Sequence, residues 1–193
     1  MIEDVLTRTA SEEHESWLKA ERQGPGRLTR VRTRFTDIGI AGRLMSAARF
    51  EECVFTDSVL RSAHLQDIEL ESCTFHNCIL SLANLDGAVL LNCTFRDSWL
   101  AMCKASEVRI RKGSFTDCDF ERAKLIDAIV DNVAFATCKW DDANLSGSRF
   151  RAVGFLNADL SQTTLLGTHF QDCDLRGATL PEIHGATLIR CKF

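Results

Sequence analysis

The feature that most constrains this chain is an apolar residue at every fifth position. Counting by five from Phe35 to Leu180 gives thirty positions, and every one is apolar, the smallest being Ala105. An α-helix repeats every 3.6 residues and a β-strand every 2, so neither element produces this spacing. A five-residue unit with its central side chain pointing inward does produce it. A long run of such units indicates a solenoid.

A second inward position lies two residues before each apolar centre. Nine of these thirty residues are Ala and eight are Cys, and Arg43 is the one large polar exception. The cysteines are therefore interpreted as small buried residues that remain reduced. Side chains at different heights do not converge on one metal ion, so neither a metal nor a cofactor is expected. The cysteines concerned are Cys53, Cys73, Cys78, Cys93, Cys103, Cys118, Cys138 and Cys173, with Cys191 joining them after a register change.

A period of twenty residues is nested in the period of five. Seven of the twelve phenylalanines fall in one column, and they are the predicted structural core: Phe35, Phe55, Phe75, Phe95, Phe115, Phe135 and Phe155. Four units therefore make one coil. Rings in successive coils are expected to stack about 4.8 Å apart, the spacing of hydrogen-bonded strands.

The units Ala-Asn-Leu-Asp-Gly (83–87), Ala-Asn-Leu-Ser-Gly (143–147) and Ala-Asp-Leu-Ser-Gln (158–162) resemble the pentapeptide-repeat family. The resemblance covers about residues 33–193. It implies an all-β solenoid, a right-handed quadrilateral β-helix of about 7–8 coils with four faces per coil. The period alone indicates only a solenoid of twenty-residue coils. We predict an N-terminal helical cap or arm over residues 1–26 and the pentapeptide-repeat β-helix over residues 27–193.

The N-terminal residues do not follow the repeat. Thr9 and Glu12 have the spacing of a capping box, with Thr9 as the N-cap. This predicts a short helix that ends at about Arg22, before the Gly-Pro-Gly at 24–26. The helix is expected either to cover the open first coil, which solenoids require, or to act as a dimer arm.

Four arginines follow this helix, at Arg27, Arg30, Arg32 and Arg34. At strand spacing the last three face outward, and Val31 faces inward. They form either a solvated first strand or a basic patch for a phosphate or an acidic partner.

The register changes near the C-terminus. After Leu180 the apolar centres move to Leu188 and Phe193, which predicts three inserted residues. An uncovered last coil exposes apolar side chains and unpaired strand groups. We expect a homodimer through about residues 183–193, with Ile183, Leu188 and Phe193 at the interface. The alternative is a monomer in which segment 181–185 folds back as a lid.

The sequence lacks a motif for catalysis. None of its five histidines lies at motif spacing from a cysteine or a carboxylate, and no nucleophile elbow or phosphate-binding glycine loop occurs. The unbroken repeat leaves no long loop to build a pocket. We therefore predict that the protein is not an enzyme. The acidic N-terminus is unlike a signal peptide and no apolar run would span a bilayer, so a cytoplasmic location without membrane contact is expected.

The second residue after each apolar centre is often acidic. This row contains eight Asp and three Glu, and its basic residues are Lys112 and Arg122. Asp, Asn and Gly are turn residues, so one interpretation is ordinary corner chemistry. The other is a partner-binding edge, because the twenty-residue period collects the acids into columns. One column contains Asp37, Asp57, Asp97 and Asp117, and another contains Asp67, Glu107 and Asp127.

A rod of these coils is about 36 Å long, close to one turn of B-DNA. Acidic edges on such a rod fit a protein groove built for duplex DNA. This is similar to the topoisomerase-protecting branch of the family, which confers resistance to quinolones and peptide gyrase poisons. The resemblance implies a non-catalytic DNA mimic that modulates or protects a type II topoisomerase (DNA gyrase) and does not itself bind nucleic acid. The alternative is a scaffold or adaptor repeat protein that binds another protein partner.

Overall fold

The computed structural model describes residues 8–182 and 185–193. In these residues one helix precedes thirteen short strands of a single parallel sheet that winds around the molecular axis. The elements are α1 (Arg8–Lys19), β1 (Thr29–Val31), β2 (Arg34–Thr36), β3 (Arg49–Glu51), β4 (Val54–Thr56), β5 (Glu69–Glu71), β6 (Thr74–His76), β7 (Val89–Leu91), β8 (Thr94–Arg96), β9 (Arg109–Thr116), β10 (Ile129–Ala136), β11 (Arg149–Arg151), β12 (His169–Gln171) and β13 (Thr187–Ile189). From β1 to β12 paired residues lie twenty apart, as in Phe35 opposite Phe55. The predicted solenoid of twenty-residue coils is confirmed.

Each coil has four faces that meet at four corners. In the coil 48–67, face A is 48–51, face B is 53–56, face C is 58–61 and face D is 63–66. The corner residues of this coil are 52, 57, 62 and 67, and the other coils follow at intervals of twenty. Faces A and B carry most of the strands, whereas faces C and D pair through isolated parallel bridges such as Val59 to Ile79 and His64 to Asn84.

The interior is filled as the five-residue pattern predicts. Of the thirty apolar centres, all are buried except Leu180, which is half-buried. The rings of the phenylalanine column stack with centroids 4.5 to 5.3 Å apart from Phe35 to Phe155. A second stack places Trp140 on Phe120, with ring centroids 4.5 Å apart. Each coil thus packs on its two neighbours, so the core is continuous along the axis.

The cysteines are part of this interior. All nine are free; seven are buried, and Cys138 and Cys191 are half-buried. The thiols donate to backbone carbonyls, as Cys73 Sγ does to Phe50 O at 3.4 Å. Burial raises the pKa of the Cys103 thiol to about 12 and that of Cys173 to about 11. These two thiols are therefore protonated at neutral pH.

The corners turn because their residues adopt the left-handed backbone conformation. From residue 37 to residue 177, every corner residue except Gln162 has a positive φ. The Ala63 N–H donates to Leu60 O at 3.0 Å across Ser62, whose φ is 57°. A type II turn requires this φ at its third residue, where Gly and Asn are favoured and Asp is tolerated. The chain thus turns its corners with few glycines and prolines, and the acidic row has a backbone role.

Helix α1 packs against the first coils. His14 and Trp17 are buried, and their rings stack with centroids 5.5 Å apart. His14 Nδ1 accepts a hydrogen bond from the Leu28 N–H at 3.0 Å, so Nε2 carries the proton and donates to Ser46 O, also at 3.0 Å. Burial lowers the pKa of His14. The neutral ring therefore ties α1 to two faces of the first coil, face A at Leu28 and face D at Ser46.

Two predictions about the N-terminal region were wrong. Helix α1 already includes Thr9 and ends at Lys19, so Thr9 is not its N-cap, and Arg22 lies beyond the helix with a φ of 64°. Arg30 does not face outward: it lies opposite Phe50 in the inward column, and Val31 is 48% exposed. The cause is the corner at 32, where a positive φ resets the strand alternation.

The register change near the C-terminus is a shortened coil. Phe170 lies opposite Leu188, so this coil has eighteen residues instead of twenty. The predicted insertion of three residues was wrong. In a pattern with a period of five, removing two residues moves the apolar centres to the same positions as inserting three, and the structure shows the removal. Leu188 is half-buried and Phe193 is 73% exposed. Ile183, the third predicted interface residue, lies outside the described residues.

Candidate functional site

The first acidic column runs along the corner between faces B and C, and we call it the Asp57 ladder. Its members are Asp37, Asp57, Asp97 and Asp117, all exposed, with φ between 50° and 55°. Their carboxylates contact neighbouring coils: Asn77 donates to Asp57 at 2.6 Å, and Thr137 donates to Asp117 at 2.5 Å. His76 Nε2 lies 3.4 Å from Asp97 Oδ2. The ladder is therefore held in place by side chains of successive coils.

The second acidic column, the Asp67 ladder, follows the corner between faces D and A and consists of Asp67, Glu107 and Asp127. Asp67 and Asp127 lie against the glycine of the next coil, Gly87 and Gly147, where a Cβ would collide with the carboxylate oxygen. Asp67 also forms an ion pair with Arg22 at 2.7 Å. This ladder thus contributes to coil stacking, and its charge is partly neutralised.

The arginines after α1 are also largely paired within the chain. Arg32 Nε and Nη2 bind the Glu52 carboxylate at 2.8 and 3.2 Å, and Arg27 lies 2.9 Å from Glu69. Arg34 is exposed on face B. The predicted basic patch therefore presents less charge than its sequence indicates.

A set of arginines that the sequence reasoning missed lies on face A of the later coils. Arg109, Arg111, Arg149 and Arg151 are exposed there. Three of them, Arg111, Arg149 and Arg151, border an open groove of about 360 Å³ that we call the Arg groove. Arg151 pairs with Asp131 at 2.5 Å, whereas the other three make no ion pair with the residues that the structure describes. Aligning the residues on either side of the apolar centres at intervals of twenty would have shown that these arginines fall in two columns, one with Arg109 and Arg149 and one with Arg111 and Arg151.

Face C carries an apolar surface that the sequence reasoning also missed. We call it the Trp99 patch, and it consists of Val59, Ile79, Leu82, Trp99 and Met102. Trp99 is 44% exposed, Leu82 41% and Met102 45%. The sequence feature that indicates this patch is the row of corner residues, in which Leu82 and Met102 lie among turn residues such as Asp, Asn and Gly.

The described residues show no arrangement typical of catalysis. No three His, Cys, Asp or Glu side chains among them come close enough to bind a metal ion. Among the residues that the structure describes, a His–carboxylate contact is seen between His76 and Asp97, which is exposed and belongs to the Asp57 ladder. Within residues 8–182 and 185–193, no helix has the length and apolar character needed to cross a membrane. The rigid outer surface is what the fold offers to a partner.

Comparisons with known proteins assign the family. A profile described as a pentapeptide repeat region matches residues 68–145, and a profile of eight pentapeptide repeats matches 45–77, 131–165, 143–180 and 155–193. No curated protein sequence matches the chain.

The solved structures that resemble this chain do so at low identity, and one of them shares its fold at a TM-score above 0.5. HetL, a pentapeptide repeat protein involved in heterocyst differentiation regulation in the cyanobacterium Nostoc sp. strain PCC 7120, is 16% identical with a TM-score of 0.56 over 92% of each chain. A trypsin-treated variant of QnrB1, a plasmid-mediated fluoroquinolone resistance protein, is 18% identical with a TM-score of 0.47 over 83% of each chain. The two profiles together extend from residue 45 to the end of the solenoid, and the chain therefore belongs to the pentapeptide-repeat family.

Proposed function

We propose that this protein is a non-catalytic DNA mimic that binds a type II topoisomerase, DNA gyrase, and protects it against an antibiotic poison. The observation that carries the proposal is the Asp57 ladder, a column of four exposed carboxylates, interrupted by Asn77, along one corner of the solenoid. A topoisomerase binds duplex DNA through basic residues that contact phosphates. A fixed column of carboxylates offers such residues an alternative set of anionic partners.

The ladder is preorganised for this role. Hydrogen bonds from Asn77 and Thr137 already position the carboxylates of Asp57 and Asp117, so these two side chains have little freedom left to lose on binding. The Arg groove lies on face A, which does not border the Asp57 ladder. The ladder can therefore enter a basic groove without bringing the Arg groove with it, and the exposed arginines on the adjoining face B include Arg34 and Arg96. The Asp67 ladder does border face A and is paired with Arg22, so we assign it the smaller contribution.

A gyrase supercoiling assay, run with and without a quinolone or a peptide poison, tests this function. The protein is titrated as wild type and as the triple variant Asp57→Asn, Asp97→Asn, Asp117→Asn. Asn removes the charge and tolerates the left-handed conformation of these corners. We expect the variant to lose the effect, and the wild-type effect to weaken as salt is raised.

The Asp67 ladder supplies a matched control. The variant Asp67→Asn, Glu107→Gln, Asp127→Asn removes the same number of charges, and we expect it to keep most of the effect. An unchanged effect in the Asp57 ladder variant would contradict the DNA-mimic mechanism. This proposal implies a cytoplasmic location, because the partner acts on chromosomal DNA.

The second candidate function is a scaffold or adaptor that binds another protein partner. The exposed Trp99 patch favours it, because a DNA mimic has no need of an apolar surface.

We also propose that the protein is a homodimer through residues 183–193. The exposure of Phe193 and the half-burial of Leu188 support this interface, because a partner copy would cover both.

A further inference from the structure

The Trp99 patch is confined to three successive coils. Parallel bridges place Val59 beside Ile79 and Ile79 beside Trp99 in the outward column of face C. Leu82 and Met102 occupy the adjoining corner of the second and third of these coils, so the two columns form one surface. In the next coil the outward column continues with Asp119, which ends the apolar run.

Neither the backbone nor the core explains the apolar corner residues. Leu82 and Met102 have φ values of 63° and 57°, a conformation that suits Gly, Asn or Asp and disfavours larger apolar residues. The other coils place glycine or polar residues in this corner column: Gly42, Ser62, Arg122, Asp142 and Gln162. Both side chains are more than 40% exposed, so they contribute little to the core. Two unfavourable choices in adjacent coils indicate a role outside the fold.

An acidic cleft lies beside the patch. It measures about 360 Å³ and is lined by Trp99, by three carboxylates, Asp97, Asp117 and Asp119, and by one lysine, Lys139, so that negative charge outnumbers positive charge in it. Asp119 Oδ1 accepts the Glu121 N–H at 2.8 Å, which fixes this carboxylate next to the ring column. An indole face and nearby carboxylates together suit a cation, since the ring attracts it and the carboxylates accept its N–H groups.

We propose that the Trp99 patch and this cleft form one docking surface for a partner-protein segment that presents Lys or Arg beside apolar side chains. The apolar columns receive the apolar side chains, and the basic side chain enters the cleft between Trp99 and the three carboxylates. Charge complementarity determines this choice of partner, because the cleft is acidic and an acidic segment would be repelled. Trp and Met, which supply two of the five residues of the patch, are residue types enriched in protein interfaces.

This inference goes beyond DNA mimicry and does not rest on it. A DNA mimic presents only charge, whereas this surface shares Asp97 and Asp117 with the Asp57 ladder and adds a specific apolar contact on face C and its corner with face D. The two proposals can fail separately, because Leu82→Asn with Met102→Asn removes the apolar corner and leaves every carboxylate of the Asp57 ladder in place.

The test is calorimetric titration of the whole chain with three synthetic peptides. The peptides have equal length and equal leucine content and carry Lys, Gln or Glu at their remaining positions. We expect the Lys peptide to bind at least about tenfold more tightly than the Gln peptide, because it gains charge-assisted contacts. The Glu peptide should show no binding.

Two patch variants locate the binding. Leu82→Asn with Met102→Asn should weaken the binding of the Lys peptide by at least about tenfold. The fold should survive, because Asn suits both corners. Trp99→Leu keeps the apolar contact and removes the cation–π contact, so a loss of about two- to fivefold is expected. Leu156→Asn with Leu166→Asn is the matched control on other faces, where these leucines are 50% and 66% exposed, and it should leave the affinity unchanged.

Three results would overturn the inference. The first is that the wild type and the double variant Leu82→Asn, Met102→Asn bind the Lys peptide with equal affinity. The second is failure of the Lys peptide to bind, or binding of all three peptides alike. The third is self-association of the wild type in sedimentation that the same variant abolishes, because the occupant would then be a second copy of this chain.

Discussion

The phenylalanine column offers the sharpest test of the coil assignment, and Phe95 lies near its middle. Its ring is 1% exposed and is stacked between Phe75 and Phe115, with centroid distances of 4.5 and 4.7 Å and interplanar angles of 3° and 8°. Phe95→Ala removes the ring from both contacts at once. The surrounding coils are connected by backbone ladders and cannot close the gap without losing hydrogen bonds.

The expected loss follows from these contacts. Burial of the ring is worth about 1.5–3 kcal/mol, and each stacked pair adds about 0.5–1.5 kcal/mol. Their sum agrees with the loss of about 3–5 kcal/mol found for Phe→Ala in buried sites. Because a solenoid is stabilised mainly by contacts between neighbouring coils, the coils containing Phe75 and Phe115 should lose protection with it.

Urea unfolding followed by circular dichroism measures the free energy, and amide hydrogen exchange locates the loss. Phe193→Ala is the matched control, since Phe193 belongs to the same column at its open end and is 73% exposed. At protein concentrations where the chain is monomeric, the control should cost less than about 1 kcal/mol. Equal unfolding midpoints for Phe95→Ala and wild type would refute the twenty-residue coil as the stabilising unit.

Four further predictions concern the end, the cap and the interior. If the C-terminal coil is a dimer interface, light scattering should show a dimer that Phe193→Asp dissociates; a monomer mass at all concentrations contradicts the interface. His14 must stay neutral in the fold, so its lowered pKa contributes stability that is present above its ordinary pKa of 6.5 and is lost as pH falls through the folded value. The melting temperature should therefore fall more steeply between pH 8 and pH 5 for wild type than for His14→Asn. Native thiol labelling at pH 8 should be much slower at Cys103 and Cys173 than in urea, because both thiols are buried and have raised pKa values; rapid labelling would contradict the packing role of the cysteines. Trp140 Nε1 is buried without a hydrogen-bond partner among the described residues. Trp140→Phe removes that cost and should unfold at no lower urea concentration than wild type.

The inward half of this protein was predictable from sequence because it is over-determined. Every coil repeats the same large and small inward positions, so thirty units report the same geometry. A single small residue such as Ala105, at a position that otherwise holds larger apolar residues, does not obscure this geometry. The ends were less predictable, since each occurs once. Arg30 was assigned outward by strand alternation, and the corner at Arg32 reversed that assignment through one positive φ.

The outward half depends on neighbours that only the coil register brings together. Arg109 and Arg149 are forty residues apart in the chain and two coils apart in space, and no local motif connects them. Leu82 and Met102 were visible in the corner row, yet a single apolar residue at a turn has no evident meaning until the bridge from Ile79 to Trp99 places an exposed ring beside it. A solenoid of this kind constrains its interior tightly and leaves its corners and outer columns free to vary. Departures from good turn chemistry at those corners, rather than the repeat itself, are therefore where the specificity of this protein for a partner should be sought.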